Sequence, residues 1–246
     1  MQEMLAAFLG EQTVAFFRAF MEQKFYNLLI QGMLWTLGLT AIATLIGILI
    51  GIVVAIIQIC QFPKRPGVLG FILKWVEKIL KFIAKLYVDV IRGTPVVVQI
   101  IFMWSVMFGQ SSIPRIVVGG IAFGVNSGAY MSEIIRAGIM GIDKGQMEAG
   151  RSLGLKYIDT MRYIIMPQAF RQMLPTIVSE FVVLIKETAI VSFIGGLDLM
   201  KAGNIIISRT MNASLPLIIV ALCYLLMTGI FTKIMRSVEK KLNSSR

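Results

Sequence analysis

The sequence predicts an all-α polytopic membrane protein with five transmembrane helices, its N-terminus outside and its C-terminus in the cytoplasm. Three observations predict it. Mean hydropathy is +0.81, and 57% of the 246 residues are apolar against 15% charged, too little polar side chain to coat a soluble globule of this size. Long charge-free runs lie between Lys24 and Lys64, Arg92 and Arg115, Arg115 and Glu133, and Arg209 and Lys233, and a helix needs roughly 20 apolar residues to cross the hydrocarbon core. Of the 24 Lys and Arg, seven fall in 64–92, six in 136–171 and five in 233–246, the asymmetry expected of cytoplasmic loops. A fifth span over 174–196 carries Glu180, Lys186 and Glu187. Without it, the basic segments 136–171 and 233–246 would lie on opposite sides of the membrane.

The elements follow in order. Residues 1–24 form an amphipathic segment, with Phe8, Leu9, Phe16, Phe17 and Phe20 interleaved with Glu11, Arg18 and Glu22, suited to a helix at the membrane interface. It begins with Glu3 rather than a basic cluster, unlike a cleaved signal. The first span covers Leu28 to Ile59; Gly38, Gly47 and Gly51 give it small residues that admit a neighbouring helix, and Pro63 and Pro66 end it. From Phe71 to Ile91, Lys74, Lys78, Lys81 and Lys85 line one face of an apolar helix, which places that helix on the cytoplasmic membrane surface. Thr94 is the expected N-cap of the second span, with Pro95 at its first helical position. The third span runs from about Ile116 to Ile139, and residues 243–246 form a tail.

The loop 143–167 holds the most informative pattern: Glu148-Ala149-Gly150, then Gly154, then Ile164-Ile165-Met166-Pro167. Asp143 is positioned to cap a helix there, Glu148 and Arg151 lie three apart, and Gly154 is suited to end the helix in the left-handed conformation. The pattern resembles the cytoplasmic loop of ABC-transporter permeases, whose signature is Glu-Ala-Ala, a glycine four residues later and a delayed Ile-x-Leu-Pro. Gly150 stands where that signature has alanine and Met166 where it has leucine.

A second run, Arg92-Gly93-Thr94-Pro95 followed by Val96, Val97, Val98, Gln99 and Ile100, resembles the Arg-Gly-Thr-Pro-Leu-Leu-Val-Gln-Leu of polar amino acid permeases. Lys186-Glu187-Thr188 stands where these show Lys-Asp-Thr. The resemblance extends from about Asn27 to Leu242, within a permease domain at 25–242, and points to the histidine, arginine and glutamine permeases.

It implies a type I importer permease fold, a multi-pass protein of the bacterial cytoplasmic membrane and a dimer with a second permease subunit, either a copy or a related chain. It also implies ABC ATPase subunits that bind ATP and Mg2+, and an extracytoplasmic amino-acid-binding protein. Glu148, Ala149, Gly150, Arg151, Gly154 and Pro167 are the expected ATPase-coupling residues.

Polar residues inside spans are the candidates for a substrate path, since a charge at mid-bilayer costs about 2.5 to 3.5 kcal/mol on insertion scales. Asn126, Tyr130 and Glu133 share one helical stripe, suited to an ammonium group. Glu133 is also three residues from Arg136, which offers a purely structural pairing. Arg92, Thr94, Arg136, Lys186 and Glu187 are expected in structural or gating roles, with Glu180 and Glu187 on one face.

The sequence has no histidine and no phosphate-binding Gly-x-x-x-x-Gly-Lys-Ser/Thr loop, which argues against catalysis or ATP binding by this chain. Cys60 and Cys223 read as core residues rather than a disulfide. The net charge of +11 is concentrated in loops beside spans, so its partner is membrane lipid and not nucleic acid. No cofactor or metal is expected on the chain itself. A secondary transporter or channel is the rival reading, with Glu133 and Glu187 available for ion coupling, but it leaves the 143–167 loop unexplained.

Overall fold

The structure, a computed structural model, describes residues 10–60, 62, 66–109 and 111–243, and every element among them is helical. Phe8, Leu9, Pro63 and residues 244–246 of the tail lie outside the described residues. The helices are α1 (Glu11–Glu22), α2 (Phe25–Ile59), α3 (Val68–Gly93), α4 (Val96–Phe102), α5 (Arg115–Met140), α6 (Lys144–Ser152), α7 (Tyr157–Thr160), α8 (Met166–Glu187), α9 (Leu199–Thr210) and α10 (Ser214–Asn243). Three irregular turns extend them: π turns at Met103–Met107 and Met161–Ile165, and a 3-10 turn at Thr188–Ile194.

Two of the helices, Phe25–Ile59 and the Ser214–Ser237 part of α10, are each long and apolar enough to cross a membrane; Val68–Gly93 and Val96–Met107 qualify as one broken span bent by 106°. At 35 residues, α2 is roughly 52 Å long at 1.5 Å per residue, well beyond the ~30 Å hydrocarbon core.

The centre of the fold is the pairing of α2 with α5, and small residues make it possible. A Cβ on Gly47 would lie 2.8 Å from Ser127 Oγ, and one on Gly51 would lie 2.6 Å from Met131 Cβ. In return, a Cβ on Gly124 would press on Ile46 and one on Gly128 on Ile50, at 2.5 and 2.7 Å. Each helix supplies glycines where the other brings a side chain, Ser127 and Met131 from α5 and Ile46 and Ile50 from α2, so the backbones meet without a driving force from water. Gly38, expected on this face, has no neighbour within 4 Å.

The pairs Ile42–Gly120, Ile46–Gly124 and Ile50–Gly128 advance together, so α2 and α5 run parallel. The chain between them has to return, and α3 with α4 makes that return. Phe62 N–H donates to Glu77 Oε2 (3.0 Å) near the start of α3, and the Tyr87 hydroxyl donates to Val125 O (2.5 Å) at the middle of α5. The end of α3 is therefore packed into the bundle, with Ala84 and Val88 buried. The lysines do form one face, as their spacing predicts, but in the later turns that face turns into the bundle: Lys81, Lys85 and Val88 border one cavity with Glu133 and Arg136 of α5, while Ile83, Leu86 and Val90 on the other side are exposed. Helix α4 continues from Gln99 beside Asn126 to Trp104 beside Arg115, antiparallel to the first half of α5.

Contacts order the rest. Gly138 meets Met173, whereas Gly119 meets Val191, so α8 is antiparallel to α5. Phe181 and Phe231, 5.2 Å between ring centroids, join α8 to α10. Phe16 of α1 enters a core of Phe25, Leu29, Ile185, Leu199, Ile206 and Val220. One end of the bundle thus gathers Cys60 and Phe62, the 141–165 loop and the C-terminal end of α10, and the other end gathers α1 and the 188–213 segment.

Candidate functional site

The 143–167 loop folds into a compact helical elbow. Asp143 caps α6, its Oδ1 accepting from Gly145 N–H at 2.6 Å. At the far end Gly154 takes φ +83°, its N–H donates to Arg151 O (3.0 Å), and Leu155 N–H donates to Gly150 O (3.1 Å). This pair of bonds around a left-handed glycine is the Schellman arrangement, which satisfies carbonyls the helix end leaves open. Both local expectations, the Asp143 cap and the Gly154 stop, are met by the geometry.

The elbow then closes on itself. Gly150 is buried, and a Cβ there would lie 2.5 Å from Thr160 Cγ2 and 3.2 Å from Ile164 Cδ1. The close approach at Gly150 is to its own chain, because this face of α6 turns inward. Glu148, Ala149 and Arg151 are exposed, and no ion pair joins Glu148 to Arg151. Pro167 is the second residue of α8. It does not begin a separate helix, since the π turn at Met161–Ile165 runs straight into α8. Proline lacks an N–H and crowds the carbonyl four residues back, and the wider turn relieves both effects. Gln168 Nε2 donates to Ile164 O (2.9 Å) and Gln146 Oε1 (3.3 Å), fastening α8 to α6. The outer surface carries Leu153 and Ile158, 81% and 74% exposed, and Tyr163, none of which the motif reading singled out. Apolar residues in an otherwise polar loop were the available signal.

A second constellation sits within the bundle. Glu133 accepts from Arg136 through both oxygens, at 3.1 and 2.7 Å, and lies 4.0 Å from Arg92 Nη1. The Arg92 guanidinium stands 5.3 Å from the centroid of the Tyr130 ring, a cation–π geometry. Arg92 and Glu133 border two cavities, which Tyr130 and Arg136 join one each, Tyr130 the larger and Arg136 the smaller. One, about 400 Å³, lies between α5 and α8 and adds Gln172 and Thr176; the other, about 360 Å³, lies toward α2 and α3 and adds Gln58, Lys81, Lys85 and Asp89.

Asn126 borders neither of them. It is buried and donates to Gln99 Oε1 at 2.9 Å, while Gln99 Nε2 donates to Ile91 O and Thr94 Oγ1, both at 2.8 Å. Gln99, hidden in an apolar run, is the hub that closes the α3–α4 bend. Thr94 is not the expected N-cap: Pro95 holds that place, and Thr94 donates its hydroxyl to Val90 O at 2.8 Å. The residue before a proline is forced into extended backbone, and Thr94, at φ −121° and ψ 145°, ends α3 in this way. Lys186 and Glu187 fall at the end of α8, outside both cavities.

The sequence reading also passed over Asp198. It is fully buried and caps α9 with bonds from Met200 N–H (3.0 Å) and Lys201 N–H (2.9 Å), with the Tyr224 hydroxyl at 3.4 Å. An aspartate just before an apolar helical stretch was its legible signal.

A parallel glycine-seamed helix pair, long apolar helices and a capped elbow at one end define the class of protein, a polytopic membrane protein. Residues 67–244 match the family described as the binding-protein-dependent transport system inner membrane component, and the chain belongs to it. A putative glutamine transport system permease protein, GlnP, of Rickettsia bellii is 37% identical over 216 residues, covering 87% of this chain and 92% of that one. The arginine transport system permease protein ArtQ of Bacillus subtilis is 37% identical over 222 residues, covering 88% and 93%. Among solved structures, an amino acid ABC transporter with histidines matches with TM-score 0.79 and 39% identity over 89% of this chain and 96% of that one. The MetNI methionine ABC transporter in an inward-facing conformation shares the fold, with TM-score 0.70 and 17% identity over 87% and 96%.

Proposed function

We propose that the chain is the membrane-spanning permease subunit of an ATP-driven ABC importer for a polar amino acid, residing in the bacterial cytoplasmic membrane. The observation that carries the reading is the α6 elbow: a stiff, capped, outward-facing helix at the bundle end where the Lys and Arg excess lies. Such a helix transmits motion from a partner without chemistry of its own. Five crossings fit the packing, made by α2, the bent α3–α4 pair, α5, α8 and α10. The charge bias then sets the N-terminus outside and the C-terminus in the cytoplasm.

Two ATPase subunits, holding ATP and Mg2+, receive Glu148, Ala149 and Arg151, while Gly150, Gly154 and Pro167 hold the elbow's shape. A second permease subunit completes the path, and an extracytoplasmic binding protein delivers the ligand. The relatives named for glutamine and arginine transport support a polar amino acid as cargo.

Within the 400 Å³ cavity, Glu133 is matched to the ligand ammonium and Arg92 to its carboxylate, with Tyr130 alongside. Asn126 serves this site by holding Gln99 and the bend. Arg136 competes for Glu133 when the cavity is empty, which makes the pair a gate for the ammonium. The test is substrate-stimulated ATP hydrolysis of the assembled transporter with a panel of loaded binding proteins, for the native chain and for Glu133→Gln. The variant is expected to lose stimulation at least tenfold while assembling normally. Full stimulation in Glu133→Gln, or loss of assembly, would remove Glu133 from the ligand path.

A further inference from the structure

A third cavity lies apart from the one assigned to the cargo. It measures about 740 Å³ and opens at the loop end of the bundle, between the end of α2, the end of α5 and the elbow. Most of its wall is apolar: Ile56 and Ile59 from α2, Ile139 and Met140 from α5, and Met161 and Met166 from the loop side. Methionines give such a wall an adaptable surface. Two cations, Lys81 of α3 and Arg151 of α6, also border it. At Gln58 and Lys81 it adjoins the 360 Å³ chamber, which adds Lys85, Arg92 and Arg136 against the carboxylates of Asp89 and Glu133. An apolar chamber that leads into a net-cationic one is complementary to an anionic amphiphile.

One further atom narrows the choice. Gln58 Oε1 is buried and accepts no hydrogen bond among the described residues, and a buried acceptor without a donor is costly. A donor placed between the two chambers would satisfy it. A phosphodiester supplies the negative charge the cations call for but carries no donor itself; a headgroup hydroxyl supplies one.

We infer that these joined cavities bind an anionic phospholipid with a hydroxyl-bearing headgroup, of the phosphatidylglycerol type, with its acyl chain among Ile56, Met140 and Met161 and its phosphate near Lys81 and Lys85. Lys81 pairs with Glu77 at 2.7 Å, and Glu77 also accepts from Phe62 N–H in the connector after α2. A lipid seated there touches α2, α3, α5 and, through Arg151, the elbow that meets the ATPase. The site thus makes transport responsive to the anionic lipid of the leaflet. Only the leaflet rests on the orientation proposed above; binding itself does not.

The test is native mass spectrometry of the detergent-solubilised importer complex, exposed to equal amounts of phosphatidylglycerol and phosphatidylcholine. The expected result is preferential retention of phosphatidylglycerol. Lys81→Gln is expected to lower it about fivefold, as one interfacial cation contributes roughly 1 kcal/mol, and Met140→Trp, which fills the apolar chamber and leaves the charges intact, is expected to lower it as well. Co-purification of the ATPase with both variants confirms that they fold. Equal retention of the two lipids, or unchanged retention in both variants, would overturn the site. Displacement of the lipid by sn-glycerol phosphate at comparable concentration would show a soluble-anion site instead and equally overturn it.

Discussion

Alanine, the residue that the permease signature carries where this chain has Gly150, is expected to damage this particular elbow. Replacing glycine by alanine inside a helix ordinarily stabilises it by about 1 kcal/mol. Here the new Cβ arrives 2.5 Å from Thr160 Cγ2 and 2.9 Å from Thr160 Oγ1. Thr160 has little freedom to retreat, being fully buried, β-branched and tied to Lys156 O at 3.1 Å. Overpacking of this kind costs about 1 to 3 kcal/mol, which exceeds the propensity gain. Thr160→Ala removes both atoms and leaves Ile164 Cδ1, at 3.2 Å, as the nearest neighbour.

The expected pattern is therefore a cycle. Gly150→Ala alone weakens ATPase co-purification and ligand-stimulated hydrolysis, and Gly150→Ala with Thr160→Ala restores both, with a coupling energy of about 1 to 3 kcal/mol in thermal unfolding of the reconstituted complex. Additive effects, or a Gly150→Ala variant with native activity and stability, would refute the inward packing of α6 against Thr160.

Two further outcomes follow from the fold. In a chain with Cys60 and Cys223 replaced, a cysteine at Ser111 is expected to react with a membrane-impermeant reagent in intact cells, and one at Ser152 only after permeabilisation; the reverse pattern would invert the orientation. Asp198→Ala removes the α9 cap, a loss of about 0.5 to 2 kcal/mol, and leaves the Tyr224 hydroxyl with a lost partner. Its unfolding midpoint should fall, while Asp198→Asn, which retains a capping oxygen, should fall less, and equal midpoints would show the cap to be unimportant.

The features legible in the sequence are those fixed by local chemistry. Asp143 and Gly154 mark the ends of α6 because capping and positive φ depend on the residue and its immediate neighbours, and the long apolar α2 and α10 follow from hydropathy alone. Thr94 misled because a threonine beside a proline has two short-range options, capping the next helix or bonding back four residues, and the spacing does not choose between them. The lysines of α3 reveal a polar face without showing that its later part, with Lys81, Lys85 and the buried Val88, turns into the bundle toward Glu133 and Arg136 of α5. Gly47 and Gly51 were visible as a small-residue face, but their counterparts Gly120, Gly124 and Gly128 gain meaning only once the parallel pairing is known. In the site, Glu133 with Arg136 was legible at a spacing of three, whereas Arg92 reaches them through the α3–α4 bend. Gln99 and Asp198 owe their importance to burial created by distant parts of the chain.

The central claim is that movement of cargo through this subunit is driven by ATP through the elbow. The most direct measurement is uptake of radiolabelled glutamine and arginine by proteoliposomes holding the whole importer, with ATP enclosed or omitted and with ion gradients imposed separately. Accumulation of one or both ligands that requires enclosed ATP and loaded binding protein, and is abolished by Glu148→Lys together with Gly154→Val, is the result expected. Uptake that proceeds without ATP on a proton or sodium gradient, unaffected by those two substitutions, would contradict it and make the chain a secondary transporter or channel.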